Sequence, residues 1–229
     1  MTDPALGLVA LIAARNEAGR IGDTVRAVKT LPEVERIYVV ENGSWDATTA
    51  EARGAGAHVL SAPGRMGKGD ALEAALRRIP PARAYLFLDG DLGASAKEAA
   101  LLVEPVLGGR ADLAVGVFPR DARHGGFGLV KRASARLIRS LTRVEVDEPM
   151  SGQRAMTREV LESVRPLADG FGLEVAMTID ALRLGFRLHE VPVAMEHRYT
   201  GRDAAGFLHR ARQGLHILRA WLPRRLGSR

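Results

Sequence analysis

Apolar runs of strand length alternate with helix-period segments through the first half of this 229-residue chain, and no other feature narrows the fold as much. Gly7–Ala13 has the continuous apolar character of a buried strand, and Glu17–Leu31 that of a helix with Ile21, Val25 and Val28 on one side. The same rhythm predicts strands over Arg36–Val40, Ala57–Leu60, Ala84–Leu88 and Ala111–Val117, with helices over Thr48–Gly54, Gly69–Ile79 and Lys97–Leu107. Strands that alternate with helices favour a mostly parallel sheet flanked by helices, because parallel neighbours need long crossover connections. The expected class is therefore α/β. In such sheets ligands bind beyond the carboxyl ends of the strands, so the turns Ala14–Glu17, Glu41–Asp46, Ala62–Lys68 and Asp89–Ala94 are the ones to inspect.

The second half is less regular. Helices are expected over Phe127–Arg143, Arg158–Val164 and Leu173–Leu184, extended chain over Met150–Met156, a strand over Phe186–Met195, and a closing amphipathic helix over Ala204–Leu222. With no repeat and no long linker, one domain over residues 1–201 is expected, followed by a basic helix and tail over 202–229. Leu6–Ala14 is short and is preceded only by the charge of Asp3, so it resembles a first strand and not a signal peptide. No run of about 18 apolar residues suggests a membrane span. The chain has no Cys, which excludes disulfides, thiolate catalysis and Cys-based metal sites, and fits a reducing, cytoplasmic setting.

The net charge of +6 is unevenly placed. Residues 202–229 hold seven Arg against Asp203, and residues 120–143 hold seven basic groups against Asp121, so the remainder is net acidic. Such polarity argues for a local anionic partner and against a uniformly basic coat. On helices, Arg132, Arg136, Arg139 and Arg143 would form one stripe, and His209, Arg212, His216 and Arg219 another. A solvated helix face is the plain reading of each; an anionic membrane surface or a phosphorylated ligand is the functional one. Aromatic residues make up 5% of the chain and offer no stacking platform, which counts against nucleic acid.

Four strand ends carry chemistry. The strand through Phe87 and Leu88 runs into Asp89-Gly90-Asp91, two carboxylates that could turn toward one hard divalent cation such as Mg²⁺ or Mn²⁺. An Asp- and Gly-rich turn is the alternative. Ala14-Arg15-Asn16-Glu17 follows the first strand and Glu41-Asn42-Gly43-Ser44-Trp45-Asp46 the second, where Ser44 or Asp46 could equally be a helix cap. Gly67-Lys68-Gly69 opens a helix, where N–H groups and a lysine suit a phosphate.

In this order and spacing the motifs resemble family 2-type glycosyltransferases with the GT-A fold, over nearly all of residues 6–200. Three positions depart from the family pattern: Glu41-Asn42 stands for Asp-Asp, Ala13 for Pro, and Trp45 for Thr. The resemblance implies a Rossmann-like GT-A sheet, with residues 1–119 binding a nucleotide sugar (a UDP- or GDP-hexose) and 120–201 the acceptor. It implies that Ala14, Asn16, Glu17, Glu41 and Lys68 border the nucleoside. Asp89, Gly90 and Asp91 would bracket ribose and an Mg²⁺ or Mn²⁺ ion, with Asp91 the firmest ligand and a catalytic residue.

The second half resembles two branches. Ser151-Gly152-Gln153-Arg154-Ala155 is similar to the Ser-Gly-Phe-Arg-Ala segment of polyprenyl-phosphate sugar synthases, the dolichol-phosphate mannose type. This implies acceptor contacts from Ser151, Gln153 and Arg154, and from Arg132 and Arg136 on the basic helix. Gly170-Phe171-Gly172-Leu173-Glu174 and Glu196-His197-Arg198 resemble glucosyl-3-phosphoglycerate synthases, which implies Glu174 in the acceptor site as a catalytic group and His197 as a third metal ligand. On sequence alone His197 could be a surface histidine. Arg198 and Arg202 would stand near the leaving diphosphate. A lipid-phosphate acceptor at the cytoplasmic membrane face is the leading expectation, and a soluble phosphoglycerate-type acceptor the alternative. A sugar-phosphate nucleotidyltransferase and a non-catalytic anion-binding protein are the more distant readings.

Overall fold

The computed structural model describes residues 6–119, 129–196, 221–222 and 224–225. β1 (Leu6–Ala14) is a central strand, flanked by β2 (Val34–Glu41) and β4 (Ala82–Asp89), both parallel to it. Covered on both faces, it carries the unbroken apolar run LGLVALIAA where a half-exposed strand would alternate. β3 (His58–Ser61) adds to β2, and β5 (Leu113–Val117), β6 (Arg154–Thr157) and β7 (Leu188–Pro192) complete a seven-stranded sheet in the order β3-β2-β1-β4-β6-β5-β7.

The helices cover the two faces. α1 (Ile21–Lys29) and α2 (Thr48–Gly54) lie on one, together with the 3-10 segment Gly93–Ala99 and α4 (Ala100–Leu107), burying Leu8, Ala10 and Ile12 of β1 against Ile21, Val25, Ala96 and Leu102. α3 (Lys68–Leu76), α6 (Arg158–Val164) and α7 (Leu173–Arg183) cover the other, where Val9 and Leu11 meet Leu72, Val160 and Met177. α7 is apolar on opposite sides. Leu173, Met177 and Ala181 face the sheet core, while Val175 and Ile179 pack on Ile138 of α5 (Leu129–Thr142) and on Trp221. A helix buried all round needs no polar stripe.

The register decides where the site lies. Ala14 pairs with Glu41 and Ala13 with Asp89, so the carboxyl ends of β1, β2 and β4 share one edge of the sheet. β6 is antiparallel to both β4 and β5, with Arg154 opposite Phe87. It therefore begins at the edge where β4 ends, and Ser151–Gln153 arrive beside Asp89.

Several boundaries differ from expectation for local reasons. The helix expected from Glu17 starts at Ile21, because residues 15–20 are held by the turn after β2 and Asn16 adopts φ 57°. The extended stretch expected over Met150–Met156 is strand only from Arg154, because Ser151 N–H bonds back to Glu148 O. β7 is shorter than Phe186–Met195. Most of the segment expected as the closing helix lies outside the described residues. Where it is described, Trp221 is buried, donating Nε1–H to Leu137 O, and the Arg224 guanidinium is buried on Asp180. These two side chains are committed to the fold and not to an external surface.

Candidate active site

The loops after β1 and β2 are stitched into one unit. Asn16 N–H donates to Ser44 Oγ at 3.1 Å, Trp45 N–H to Asn16 Oδ1 at 3.2 Å, and Glu17 N–H to Thr48 Oγ1 at 2.8 Å. Asp46 accepts from Ala18 N–H and from the N–H of Thr48, so it ties the first residue of α2 to the loop after β1. Slight burial favours its neutral form, but these donors outweigh that and hold its carboxyl below the usual value. Glu41 is buried and accepts from Ser44 N–H. Trp45, by contrast, is 84% exposed at the rim.

Asn42, where the family pattern has Asp, does something no carboxylate could. Its amide donates from Nδ2 to Met66 O at 2.8 Å and accepts at Oδ1 from Met66 N–H at 3.0 Å. An ionised Asp accepts only. The clamp fixes the loop that delivers Lys68. The glycines flanking Lys68 serve packing: a Cβ on Gly69 would stand 2.0 Å from Ala168 O, so a bare backbone lets residues 168–169 cross the start of α3.

Lys68 joins the two halves of the site. Its Nζ donates to Asp89 Oδ1 at 2.7 Å and to Glu174 Oε1 at 3.0 Å. Burial alone would lower the Lys68 pKa, but the two carboxylates reverse the sign and hold it firmly protonated. Gly152 sits against the pair, where a Cβ would fall 2.7 Å from both Lys68 Nζ and Asp89 Oδ2.

The Asp89-Gly90-Asp91 turn is pinned from α1, which sequence patterns did not reveal. Thr24, fully buried, donates from Oγ1 to Gly90 O at 2.9 Å and accepts from Gly93 N–H at 2.8 Å. Arg20 donates to Asp91 O at 2.7 Å, and Gly90 N–H reaches Ala13 O at 2.9 Å. No motif marks Thr24 or Arg20; Arg20 ends the loop before α1 and Thr24 lies four residues on, in its first turn.

The expected acceptor residues divide. Arg132 and Arg136 lie exposed on α5, as does Arg139 of the same stripe, which pairs with Glu145 at 2.7 Å. Ser151 is buried and accepts from Gln153 N–H at 3.3 Å. Gln153 and Arg154 turn inward. Arg154, 1% exposed, donates to Ser151 O at 2.8 Å and Thr178 Oγ1 at 2.9 Å, and burial pushes its pKa down to about 10. It lines a small recess with Lys68, Gly152, Glu174 and Phe87. Glu174 is buried at the start of α7 and meets Lys68 there.

The carboxylate oxygens at the end of β4 are hard donors of the kind Mg²⁺ or Mn²⁺ prefers. Of the two, Asp89 is engaged by Lys68 and Gln153, and Asp91 follows it two positions on, across Gly90. No cluster of three His, Cys, Asp or Glu able to hold a metal occurs among the described residues. His197, Arg198 and Arg202 lie outside them. The chain just before His197 is held at the site, since Glu196 N–H donates to Ser95 Oγ at 3.0 Å, four residues beyond Asp91.

The chain that builds this mostly parallel sheet, with these loops on one edge, matches the family model Glycosyl transferase family 2 over residues 9–165. The chain belongs to that family. It is 31% identical over 192 residues to glycosyltransferase AglJ of Haloferax volcanii, covering 82% of this chain and 62% of AglJ. It is 32% identical over 201 residues to glucosyl-3-phosphoglycerate synthase of Mycolicibacterium paratuberculosis, covering 76% and 60%. The chain thus spans about three-fifths of the length of these curated relatives. The crystal structure of the Mycobacterium tuberculosis synthase with phosphoglyceric acid superposes with a TM-score of 0.80 at 28% identity, covering 94% of this chain and 80% of that one. The same enzyme with Mn²⁺, UDP and glucosyl-3-phosphoglycerate gives a TM-score of 0.77 at 27% identity, with 94% and 80% covered. Membership of family 2 settles the architecture as the GT-A sheet. No helix among the described residues is long and apolar enough to cross a membrane.

Proposed function

We propose that this chain transfers a hexose from a nucleoside-diphosphate sugar, with UDP-glucose the first candidate, to a phosphorylated hydroxy acid of the phosphoglycerate class. The observation that carries this reading is the meeting of Lys68, Asp89 and Glu174 at the junction of the two halves. An ammonium between two carboxylates, partly open to solvent, offers both donors and acceptors to sugar hydroxyls. The likeness to structures holding UDP, Mn²⁺ and glucosyl-3-phosphoglycerate supports it.

In this reading residues 1–119 hold the donor and 120–201 the acceptor. The stitched loops at Ala14–Glu17 and Glu41–Asp46 bind the nucleoside, Asp89 takes a donor hydroxyl, and Asp91 with His197 holds Mg²⁺ or Mn²⁺. When bound, the ion supplies positive charge for the departing diphosphate. The bond from the anomeric carbon to the β-phosphate oxygen breaks and its electron pair leaves with UDP. A new bond forms from the same carbon to the acceptor hydroxyl oxygen. The hydroxyl proton passes to a carboxylate, a role this reading assigns to Glu174. Lys68⁺, Arg198 and Arg202 favour the negative charge that develops.

The exposed Arg132 and Arg136 on α5 favour a second acceptor, a polyprenyl phosphate at an anionic membrane face. Parallel assays with UDP-glucose and Mn²⁺ separate the two: transfer to 3-phosphoglycerate supports the first, and transfer to polyprenyl phosphate in vesicles alone supports the second.

A further inference from the structure

Gln153 has no outlet to solvent. Its side chain sits at the start of β6 with the residue 0% exposed, so contact with a diffusing acceptor would require the strand end to open. Both ends of its amide are already used, and both on one residue. Nε2 donates to Asp89 Oδ2 at 2.6 Å, and Oε1 accepts from Asp89 N–H at 3.0 Å. Lys68 takes the other carboxylate oxygen, Oδ1, at 2.7 Å. The two oxygens of Asp89 are therefore assigned to two different donors, which fixes the rotation of the carboxylate as well as its position. Such an arrangement needs a side chain that donates and accepts on one rigid plane, and among the residue types of suitable length only Gln does both without charge.

We propose that Gln153 is a positioning residue of the transfer reaction: it orients Asp89 toward the donor sugar and does not touch the acceptor. The inference rests on the hexosyl-transfer reading above and sharpens it, moving Gln153 from the acceptor side to the support of the donor side. Outer residues that orient a site's carboxylates commonly cost ten- to a hundred-fold when removed.

The test compares Gln153→Met, which keeps the volume, with Gln153→Glu, which keeps the shape and the acceptor for Asp89 N–H but sets a second carboxylate against Oδ2. Thermal unfolding, UDP affinity with Mn²⁺ by calorimetry, and kcat and KM for both substrates are read on each. Expected are folded variants with UDP affinity close to wild type, an acceptor KM that is unchanged, and kcat lower by about ten- to a hundred-fold for Met. Glu should be worse than Met, although it is the closer isostere, because like charges meet. An acceptor KM that rises with kcat retained would return Gln153 to the acceptor site and overturn the inference. So would kcat at the wild-type level in Gln153→Met, or Gln153→Glu milder than Gln153→Met. A wild-type chain that neither binds UDP nor releases it from UDP-glucose would overturn the functional reading itself, and this one with it.

Discussion

Replacing Gly152 with Ala should slow the reaction about a hundred-fold while barely disturbing the fold. The new Cβ would stand 2.7 Å from Lys68 Nζ and 2.7 Å from Asp89 Oδ2, against an ordinary contact of at least 3.4 Å, so each end must retreat by the difference, about 0.7 Å. Neither can do so and keep its partners. Asp89 would leave Gln153 at 2.6 Å, and Lys68 would leave Asp89 at 2.7 Å. Hydrogen bonds involving a charge are worth about 1.5–3 kcal/mol each. Losing two at the low end gives roughly 3 kcal/mol of misplacement, or about a hundred-fold in rate. Stability should fall far less. The Lys68 and Asp89 side chains are 28% and 29% exposed, so water replaces part of what is lost, and a cost of about 1 kcal/mol lowers Tm by only a few degrees in a domain of this size. The assay is release of UDP from UDP-glucose with acceptor present, beside a thermal melt. A Gly152→Ala variant with wild-type kcat would refute the reasoning, and so would one whose lost activity is matched by wholesale unfolding.

Four further outcomes follow from other contacts. Arg165 holds Glu73 through three side-chain contacts of 2.7–3.2 Å, and Arg165→Ala should cost about 2–4 kcal/mol by urea denaturation, because Glu73 stays largely buried. Burial raises the Glu73 pKa, but the Arg165 bonds and charge outweigh it and hold it below 4.5; stability from this pair is therefore present above that value and lost as pH falls through the lowered one, and Arg165→Ala should remove this part of the acid limb. Arg224→Ala should uncouple the C-terminal segment at a cost of about 3 kcal/mol, since it strips Asp180 of a buried partner; of the two tryptophans, Trp221 should then become open to iodide quenching as Trp45 already is. Arg132→Gln with Arg136→Gln should weaken phosphorylated-acceptor binding and its salt dependence and leave UDP affinity intact, a result read by calorimetry at two ionic strengths.

Much of the first half of the site was legible because it is local. The apolar runs of β1, β2 and β4 are continuous, and each motif follows directly on its strand, so strand ends and chemistry could be read together. The second half was less so. β6 is only four residues long and runs against its neighbours, and nothing in Arg154–Thr157 signals the direction that carries Gln153 to Asp89. Pairings such as Asn42 with Met66, Thr24 with Gly90 and Lys68 with Glu174 span 24 to 106 positions. Composition does not encode partners at that distance. The Asn at position 42 showed as a departure from the family pattern, yet its reason appears only once the loop it clamps is in place. The polarised charge divided likewise: Arg132 and Arg136 remain outward, while Arg224 and Arg154 are core groups.

The central claim is that the edge formed by β1, β2 and β4 is a metal-assisted nucleotide site, and titration of UDP with and without Mn²⁺ into wild type and Asp91→Asn tests it most directly. Tighter UDP binding when Mn²⁺ is present, with that gain abolished in a folded Asp91→Asn, is the expected result. UDP affinity that ignores both Mn²⁺ and the substitution, or no UDP binding at all, would contradict it.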